Sequence, residues 1–404
     1  MHRPATAPAT GIASDFVLDL GEPLLRLLDV AQTGYGPPTK LRLGLNFGLQ
    51  DYLALSVHPA VRSAAIGPLH AQHIGGPGPT LCHGLSAPVL ALEERLAAFL
   101  QLPAAVTFRS GTDAIRQTLA SLLRPGDEVI VDSAAHPAMF ETILLTQAHL
   151  HRSPAASVEG VERRLARLSR QSRHGRLIIT VPAVSAHGSR LADLAELSAL
   201  ARQYGAILIA DVTHDLGAMG LQGRGLMEIQ ACLGRVDILV GSLSKTFGAP
   251  GGFAAFRDPG LKAALLKSQK QPTALAPGNA AMILAALDLI ASPEGQRRRR
   301  NLHGLSLRLR NHLMADGIRP MGKASPFVPI LLPRLTALHH TALLESAGPR
   351  VPLLQAPNVP LHAPRWRIQL TAAHSPGDID DLAELIRDVT RAFDRRSVRP
   401  RVTA

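Results

Sequence analysis

A chain of 404 residues with 46% hydrophobic side chains can bury a large core and has room for two or three domains. No stretch approaches the roughly 20 apolar residues of a membrane-spanning helix, and the N-terminus has no contiguous apolar core of the signal-peptide kind, so a cytoplasmic protein without a membrane span is expected. The net charge is +12, but one Trp and three Tyr offer little for base stacking and no nucleic-acid motif accompanies the charge; the excess reads as a solvated basic face, with an anionic cofactor or carrier as the alternative, and no nucleic-acid partner is expected.

The first 40 residues, rich in Ala, Pro, Thr and Gly, read as a loose arm followed by a short amphipathic helix around 19–32. A short strand and a turn follow over 43–55, and the run Ile74-Gly-Gly-Pro-Gly-Pro-Thr excludes regular structure while permitting close backbone approach to a ligand. From there helical and strand patterns alternate. Helices are predicted over 89–100, 113–123, 158–170 and 191–204, and strands over 104–108, 128–131, 177–181, 207–210, 238–240 and 253–256. Such alternation predicts a parallel sheet covered by helices on both faces. Beyond about residue 280 a long helix is predicted from Ala280 through Ile290 and on through the cluster Arg297–Arg300; Arg365-Trp-Arg-Ile-Gln-Leu-Thr alternates at strand period, and Pro376-Gly-Asp opens a final helix. This last region reads as a smaller α+β domain. Cys82 and Cys232 are too few for a disulfide framework and badly spaced for a metal site.

Lys245 sits where an apolar strand empties into Gly-Ser-Leu-Ser-Lys-Thr-Phe-Gly. Desolvation there disfavours the ammonium and leaves a nucleophilic amine, as a Schiff base with an aldehyde requires; packing of the lysine stem at a strand end is the plainer reading. Asp211 ends another apolar strand, with His214 three residues on. A carboxylate there needs a partner, and a protonated pyridine nitrogen and the N–H groups of the following turn serve equally well on this residue alone. In Phe108-Arg-Ser-Gly-Thr-Asp, residues Ser110, Gly111 and Thr112 present hydroxyls and N–H groups at a helix start, which is a phosphate cradle or an ordinary cap. His136 follows a strand in Asp132-Ser-Ala-Ala-His-Pro, placed to stack on a flat ring or to serve structure.

In combination the pattern resembles the fold type I pyridoxal-phosphate enzymes and, within them, the α-oxoamine synthases. The resemblance spans about 45–386 and is carried by Asn46-Phe-Gly-Leu-Gln-Asp-Tyr-Leu-Ala-Leu with His58-Pro, Ala91-Leu-Glu-Glu-Arg-Leu-Ala, Ala210-Asp-Val-Thr-His, Gly241-Ser-Leu-Ser-Lys-Thr-Phe-Gly and Arg365-Trp-Arg-Ile-Gln-Leu-Thr-Ala-Ala-His. It implies a mostly parallel seven-stranded sheet sandwiched by helices plus a smaller C-terminal α+β domain. The implied boundaries are an N-terminal arm and helix at 1–55, a large pyridoxal-phosphate-binding domain at 56–285 and a small domain at 286–404. By the same resemblance Lys245 forms the Schiff base with pyridoxal 5'-phosphate, Asp211 pairs with the pyridine nitrogen, and His136 stacks on the ring. Ser185 and His214 match positions that contact the phenolic oxygen; Ser110, Gly111, Thr112, Ser242 and Ser244 fall in the phosphate-binding segments. Thr273 matches a region reaching the phosphate from the neighbouring subunit of a homodimer, Arg367 matches the arginine that grips the substrate carboxylate, and Gln50 lies near that carboxylate. The implied reaction condenses an α-amino acid with an acyl-CoA or acyl-carrier-protein thioester, with decarboxylation, to an α-amino ketone. A decarboxylase, aldolase or aminotransferase of the same fold is the alternative, and a cofactor-binding protein without turnover a further one.

The chain also departs from the family pattern. Gln50 stands where many members have Asn, Thr112 where an aromatic residue is common, the segment around His187 lacks a common acidic residue, and Ala249-Pro-Gly-Gly replaces the usual glycine-rich ending. These positions leave the amino acid and the acyl donor open.

Overall fold

The computed structural model describes residues 46–71, 84–171, 175–268 and 275–397. The arm and helix expected before residue 41, the glycine-rich run at 74–80, Cys82 and Thr273 lie outside the described residues. Helices α1 (Pro59–Ala64), α2 (Ile66–Ala71) and α3 (Ala87–Leu100) lead into β1 (Ala104–Phe108), α4 (Gly111–Leu122), β2 (Glu128–Asp132), α5 (Pro137–Leu145), β3 (His149–Ser153), α6 (Val158–Ser169) and β4 (Leu177–Pro182). Next come α7 (Leu194–Tyr204), β5 (Ile207–Asp211), α8 (Leu226–Ile229), β6 (Ile238–Ser242), β7 (Gly252–Phe256), α9 (Pro259–Ser268), α10 (Pro277–Ala291) and α11 (Pro293–Ala315). The chain closes with β8 (Phe327–Leu331), α12 (Ala337–Ser346), β9 (Leu353–Leu354), β10 (Arg365–Gln369) and α13 (Pro376–Ser397).

Seven strands form one sheet in the order β1-β7-β6-β5-β4-β2-β3, and β8-β10-β9 form a second, antiparallel sheet. In the large sheet only β7 runs against its neighbours. The central strands are apolar without interruption because both faces are covered. Alternate residues of β4 show this: Leu177, Ile179 and Val181 join a core with α3, α6, α7 and α10, whereas Ile178 faces a second core with α4, α5 and α9. Each such side chain removed from water contributes about 1.5–3 kcal/mol.

The described part of the 43–55 segment forms turns and a single bridge, Asn46 to Arg350, in place of the expected strand, and helices α5 and α9 were not expected. Three further departures have a plain physical cause. The edge strand β3 was not predicted, because His-Leu-His-Arg-Ser lacks an apolar period. It pairs with β2 in parallel register, and both His149 Nδ1 (2.9 Å) and His151 Nε2 (2.5 Å) reach the Glu128 carboxylate. Polar side chains of this kind blunt an exposed sheet edge. The single long helix predicted through the arginine cluster is two helices. Pro293 lacks an N–H and forces Ser292 into extended backbone (φ −83, ψ 167), so Ser292 ends α10 and its hydroxyl caps α11 through Gly295 N. Nor is the cluster uniformly a solvated face: Arg297 and Arg300 are exposed, whereas Arg299 turns inward and donates to the carbonyls of Gly220, Leu221 and Ile290 at 2.7–3.1 Å.

Candidate active site

Five parallel strands, β1, β2, β4, β5 and β6, deliver their C-terminal ends to one edge of the large sheet, where open α/β sheets place their binding crevices. A cavity of about 270 Å³ opens there.

From β1 the chain enters α4 through Ser110 (φ −152, ψ 163), whose hydroxyl oxygen accepts from Asp113 N at 3.1 Å. This is an ordinary cap, but it leaves the first-turn N–H groups of Gly111 and Thr112 bordering the cavity, at the positive end of the helix. Ser242 and Ser244, leaving β6, meet this turn, their hydroxyls 2.7 Å apart. A Cβ on Gly111 would lie 2.6 Å from Ser242 Cβ and 2.9 Å from its Cα, so only glycine lets the helix start approach β6 this closely. Four hydroxyl-bearing residues, two backbone N–H groups and a helix N-terminus thus converge, as a phosphate requires.

Lys245, Asp211 and His136 line the same cavity. Lys245 Nζ has no hydrogen-bond partner among the described residues, and loss of hydration pulls its pKa from 10.5 to about 8, with Asp211 opposing and Arg367 adding to the shift. A Cβ on Gly248 (φ +70) would lie 2.4 Å from Ser56 N, so the turn after Lys245 rests directly on the 51–56 loop. Asp211 ends β5 between Pro182 and Val240; Oδ1 accepts from Thr213 N at 3.0 Å, which is the turn-capping reading, while Oδ2 has no hydrogen-bond partner among the described residues. His136 caps α5, its Nδ1 accepting from Ala138 N at 3.2 Å, which fixes the imidazole at the cavity wall. Burial holds His136 below its ordinary pKa, assisted by Lys245 and opposed by Asp211.

The second sheet and the 46–55 loop complete the site. Phe47 O accepts from Gln369 N (2.7 Å), Gly48 O from Gln369 Nε2 (2.8 Å) and Tyr52 O from Ala372 N (2.8 Å), which ties the loop along β10. Tyr52 is fully buried, and its hydroxyl lies 2.8 Å from His214 Nδ1. Arg367, on β10, is 7% exposed; its guanidinium lies 4.7 Å from the centre of the Phe327 ring, which His214 also meets edge-on at 5.4 Å. Arg367 Nε and Nη2 are buried without a hydrogen-bond partner. A desolvated guanidinium with open donors is costly unless an anion completes it.

The structure brings Ser110, Gly111, Thr112, His136, Asp211, His214, Ser242, Ser244 and Lys245 onto one cavity. Arg367 acts electrostatically on Lys245 and His214 there. Ser185 is not among the lining residues: it is 2% exposed and its hydroxyl oxygen accepts from Arg190 N at 2.9 Å, while Val184, Ala186 and His187 face the opening. Gln50 is half-buried in the loop preceding Tyr52 and does not line the cavity. Sequence reasoning did not single out Tyr52, Thr213 or Phe327, and it treated His187 only as a family departure. Tyr52 lies in a segment quoted for the resemblance, yet nothing local separates its ring from a core aromatic. Loss of hydration, with Arg367 and Arg365 adding, pulls His187 down to about 4, so it is neutral at pH 7.

These residues fit pyridoxal phosphate: an anion cradle at one end, a flat apolar and imidazole wall, a carboxylate with an open oxygen, and a depressed amine. The sheet order with its one antiparallel strand, followed by a small antiparallel sheet, is that of a fold type I pyridoxal-phosphate transferase. The aminotransferase class I and II model matches residues 46–386. The 8-amino-7-oxononanoate synthase of Citrifermentans bemidjiense is 32% identical over 342 residues, 84% of this chain and 87% of that protein. That of Acidithiobacillus ferrooxidans is 33% identical over 370 residues, 88% and 91% of the two chains. The serine palmitoyltransferase of Sphingomonas wittichii shares the fold with a TM-score of 0.83 at 23% identity, over 93% of this chain and 98% of that one. The chain belongs to the aminotransferase class I and II family, in its α-oxoamine synthase branch.

Proposed function

We propose that the protein condenses an α-amino acid with an acyl thioester, releasing carbon dioxide and the thiol and leaving an α-amino ketone. The observation that carries this reading, beside family membership, is Arg367: a buried guanidinium with two open donors acting on the same cavity as Lys245. Its planar fork suits a carboxylate, so the substrate is held by the group that defines an amino acid.

When bound, pyridoxal phosphate supplies an aldehyde for an amine and a cationic ring that accepts electrons from the adjoining carbon. Asp211, through its open oxygen, keeps the ring nitrogen protonated. Ser110, Gly111, Thr112, Ser242 and Ser244 hold the phosphate, and Thr273, from the neighbouring subunit of a homodimer, completes that end. Lys245 would hold the cofactor's aldehyde and would take the α-proton of the substrate; its depressed pKa leaves it able to accept one. His136 would lie against the ring and hold or protonate the acyl oxygen, His214 and Ser185 would serve the phenolic oxygen, and Gln50 would tune the carboxylate end. The division into a large domain at 56–285 and a small one at 286–404 belongs to this reading, the second bringing Arg367 to a cavity built by the first. Excess arginine suits the phosphates of coenzyme A or an acidic carrier protein. A cytoplasmic location is proposed with it; among the described residues no helix is long and apolar enough to cross a membrane.

Thiol release from a panel of acyl thioesters, with each amino acid in turn and products read by mass, tests the proposal. Amino-acid-dependent thiol and carbon dioxide in equal amounts are expected. Carbon dioxide released without any thioester favours the decarboxylase reading instead.

A further inference from the structure

We propose that Tyr52 is a positioning residue that places the proton of His214 on Nε2, so that His214 presents an N–H donor, and not a lone pair, away from Tyr52 and toward the cavity. Tyr52 and His214 are both buried, so their donors and acceptors have to match. Tyr52 is 0% exposed and its hydroxyl lies 2.8 Å from His214 Nδ1. A tyrosine hydroxyl has one proton to give, and a neutral imidazole has one nitrogen that gives and one that takes. The 2.8 Å contact therefore admits two arrangements: Tyr52 donates to a bare Nδ1, or Nδ1–H donates to Tyr52.

The burial of Tyr52 decides between them. Its hydroxyl is 0% exposed, and His214 Nδ1 is the hydrogen-bond partner it has among the described residues. Were Nδ1 to donate, the buried phenolic proton would be left without an acceptor, since the Arg367 guanidinium, which acts on Tyr52 as a charge, donates only. The phenolic proton therefore goes to Nδ1. Both partners hold the protonation this requires: burial raises Tyr52 to about 12, and burial, with Arg367 and Lys245 adding, holds His214 well below its ordinary pKa. Tyr52 thus donates to His214 Nδ1, and the remaining proton sits on Nε2. Phe327 locks the cluster geometrically, with Arg367 against its ring at 4.7 Å and His214 edge-on at 5.4 Å.

The consequence deepens the proposed function and rests on it in one respect: an Nε2–H donor matches a phenolate oxygen on the bound ring, an acceptor that a bare nitrogen would repel. It also ties two ends of the site, since the guanidinium proposed to take the substrate carboxylate shares the Phe327 ring with His214.

The test uses the cofactor-free protein labelled with 15N-histidine, with His214→Gln identifying the His214 signals. At pH 7 the wild type should show Nε2 protonated and Nδ1 bare but hydrogen-bonded, one tautomer exceeding the other by roughly tenfold, the factor one hydrogen bond sustains. In Tyr52→Phe, which keeps the ring, the excess should fall and the Nδ1 and Nε2 signals should move toward one another. Arg367→Met should shift the same signals by removing the charge that acts on His214 across the Phe327 ring. A wild-type Nδ1 that carries the proton, or His214 signals unmoved in Tyr52→Phe, overturns the proposal, and the first of these needs no Tyr52 variant to fold. Because no cofactor or substrate is present, failure of the proposed reaction would leave this result standing. With pyridoxal phosphate added, Tyr52→Phe should also shift the visible band and its pH dependence; an unchanged band would refute the link to the ring oxygen.

Discussion

Titrating the Lys245 amine tests the site at its most reactive atom. Burial pulls its pKa from 10.5 to about 8, against the opposing pull of Asp211. At pH 7 an ordinary lysine is unprotonated in roughly one molecule in 3,000, and Lys245 in roughly one in ten, a gain of roughly 300-fold in free amine. The same shift sets a stability term. Between pH 8 and 10.5 the unfolded chain binds a proton that the folded chain has released, so stability rises with pH across that window. Below it the desolvated ammonium costs the fold roughly 3 kcal/mol. Lys245→Met keeps the stem and removes the charge. It should stabilise the cofactor-free protein at pH 7 by up to that amount, less what Asp211 loses with its cationic neighbour, and the gain should vanish toward pH 10.5. Urea unfolding of both proteins at pH 7 and pH 10 reads the difference, and the rate of pyridoxal-phosphate capture by the wild type, followed by its visible absorbance against pH, reads the amine directly. A capture midpoint near 10.5, or a stability difference that does not change with pH, would refute the desolvated amine.

Gly111→Ala places a methyl 2.6 Å from Ser242 Cβ and should weaken pyridoxal-phosphate binding at least about tenfold by opening the phosphate end, an effect of about 1.4 kcal/mol. Fluorescence titration measures it, and an unchanged affinity would show that this approach does not serve the phosphate. Arg299→Ala strands three carbonyls, those of Gly220, Leu221 and Ile290, and should cost about 2–4 kcal/mol of unfolding free energy while leaving kcat near its wild-type value. A change within about 0.5 kcal/mol, the range of ordinary surface substitutions, would mean that water replaces the guanidinium there.

The strands that build the site were legible because they are buried on both faces and so read as plain apolar runs; β1, β2, β4, β5, β6 and β7 all lie within a residue or two of the predicted spans. β3 was not legible, since it is an edge strand with mostly exposed or half-buried residues and its His-Leu-His-Arg-Ser carries no period. The break at Ser292 was legible in principle from Ser-Pro-Glu-Gly, but helical composition on both sides masked it. The inward turn of Arg299 was not, because its carbonyl partners lie about 80 positions away at Gly220 and Leu221.

Within the site, the sequence by itself determined which side chains converge. Lys245, Asp211, His136 and the Ser110–Thr112 turn each follow a strand, and a parallel sheet carries every such exit to one edge, so their convergence was implicit in the alternating pattern. What only the tertiary structure decided was how they are held and tuned. Tyr52 and Arg367 are 315 residues apart in sequence, with His214 between them, and no local signal joins them. They meet because the 46–55 loop is hydrogen-bonded along β10 and the small sheet carries Phe327 beneath both Arg367 and His214. Desolvation belongs to that assembly and not to any residue, which is why the amine of Lys245 and the open donors of Arg367 acquire their character only when the chain has folded around them.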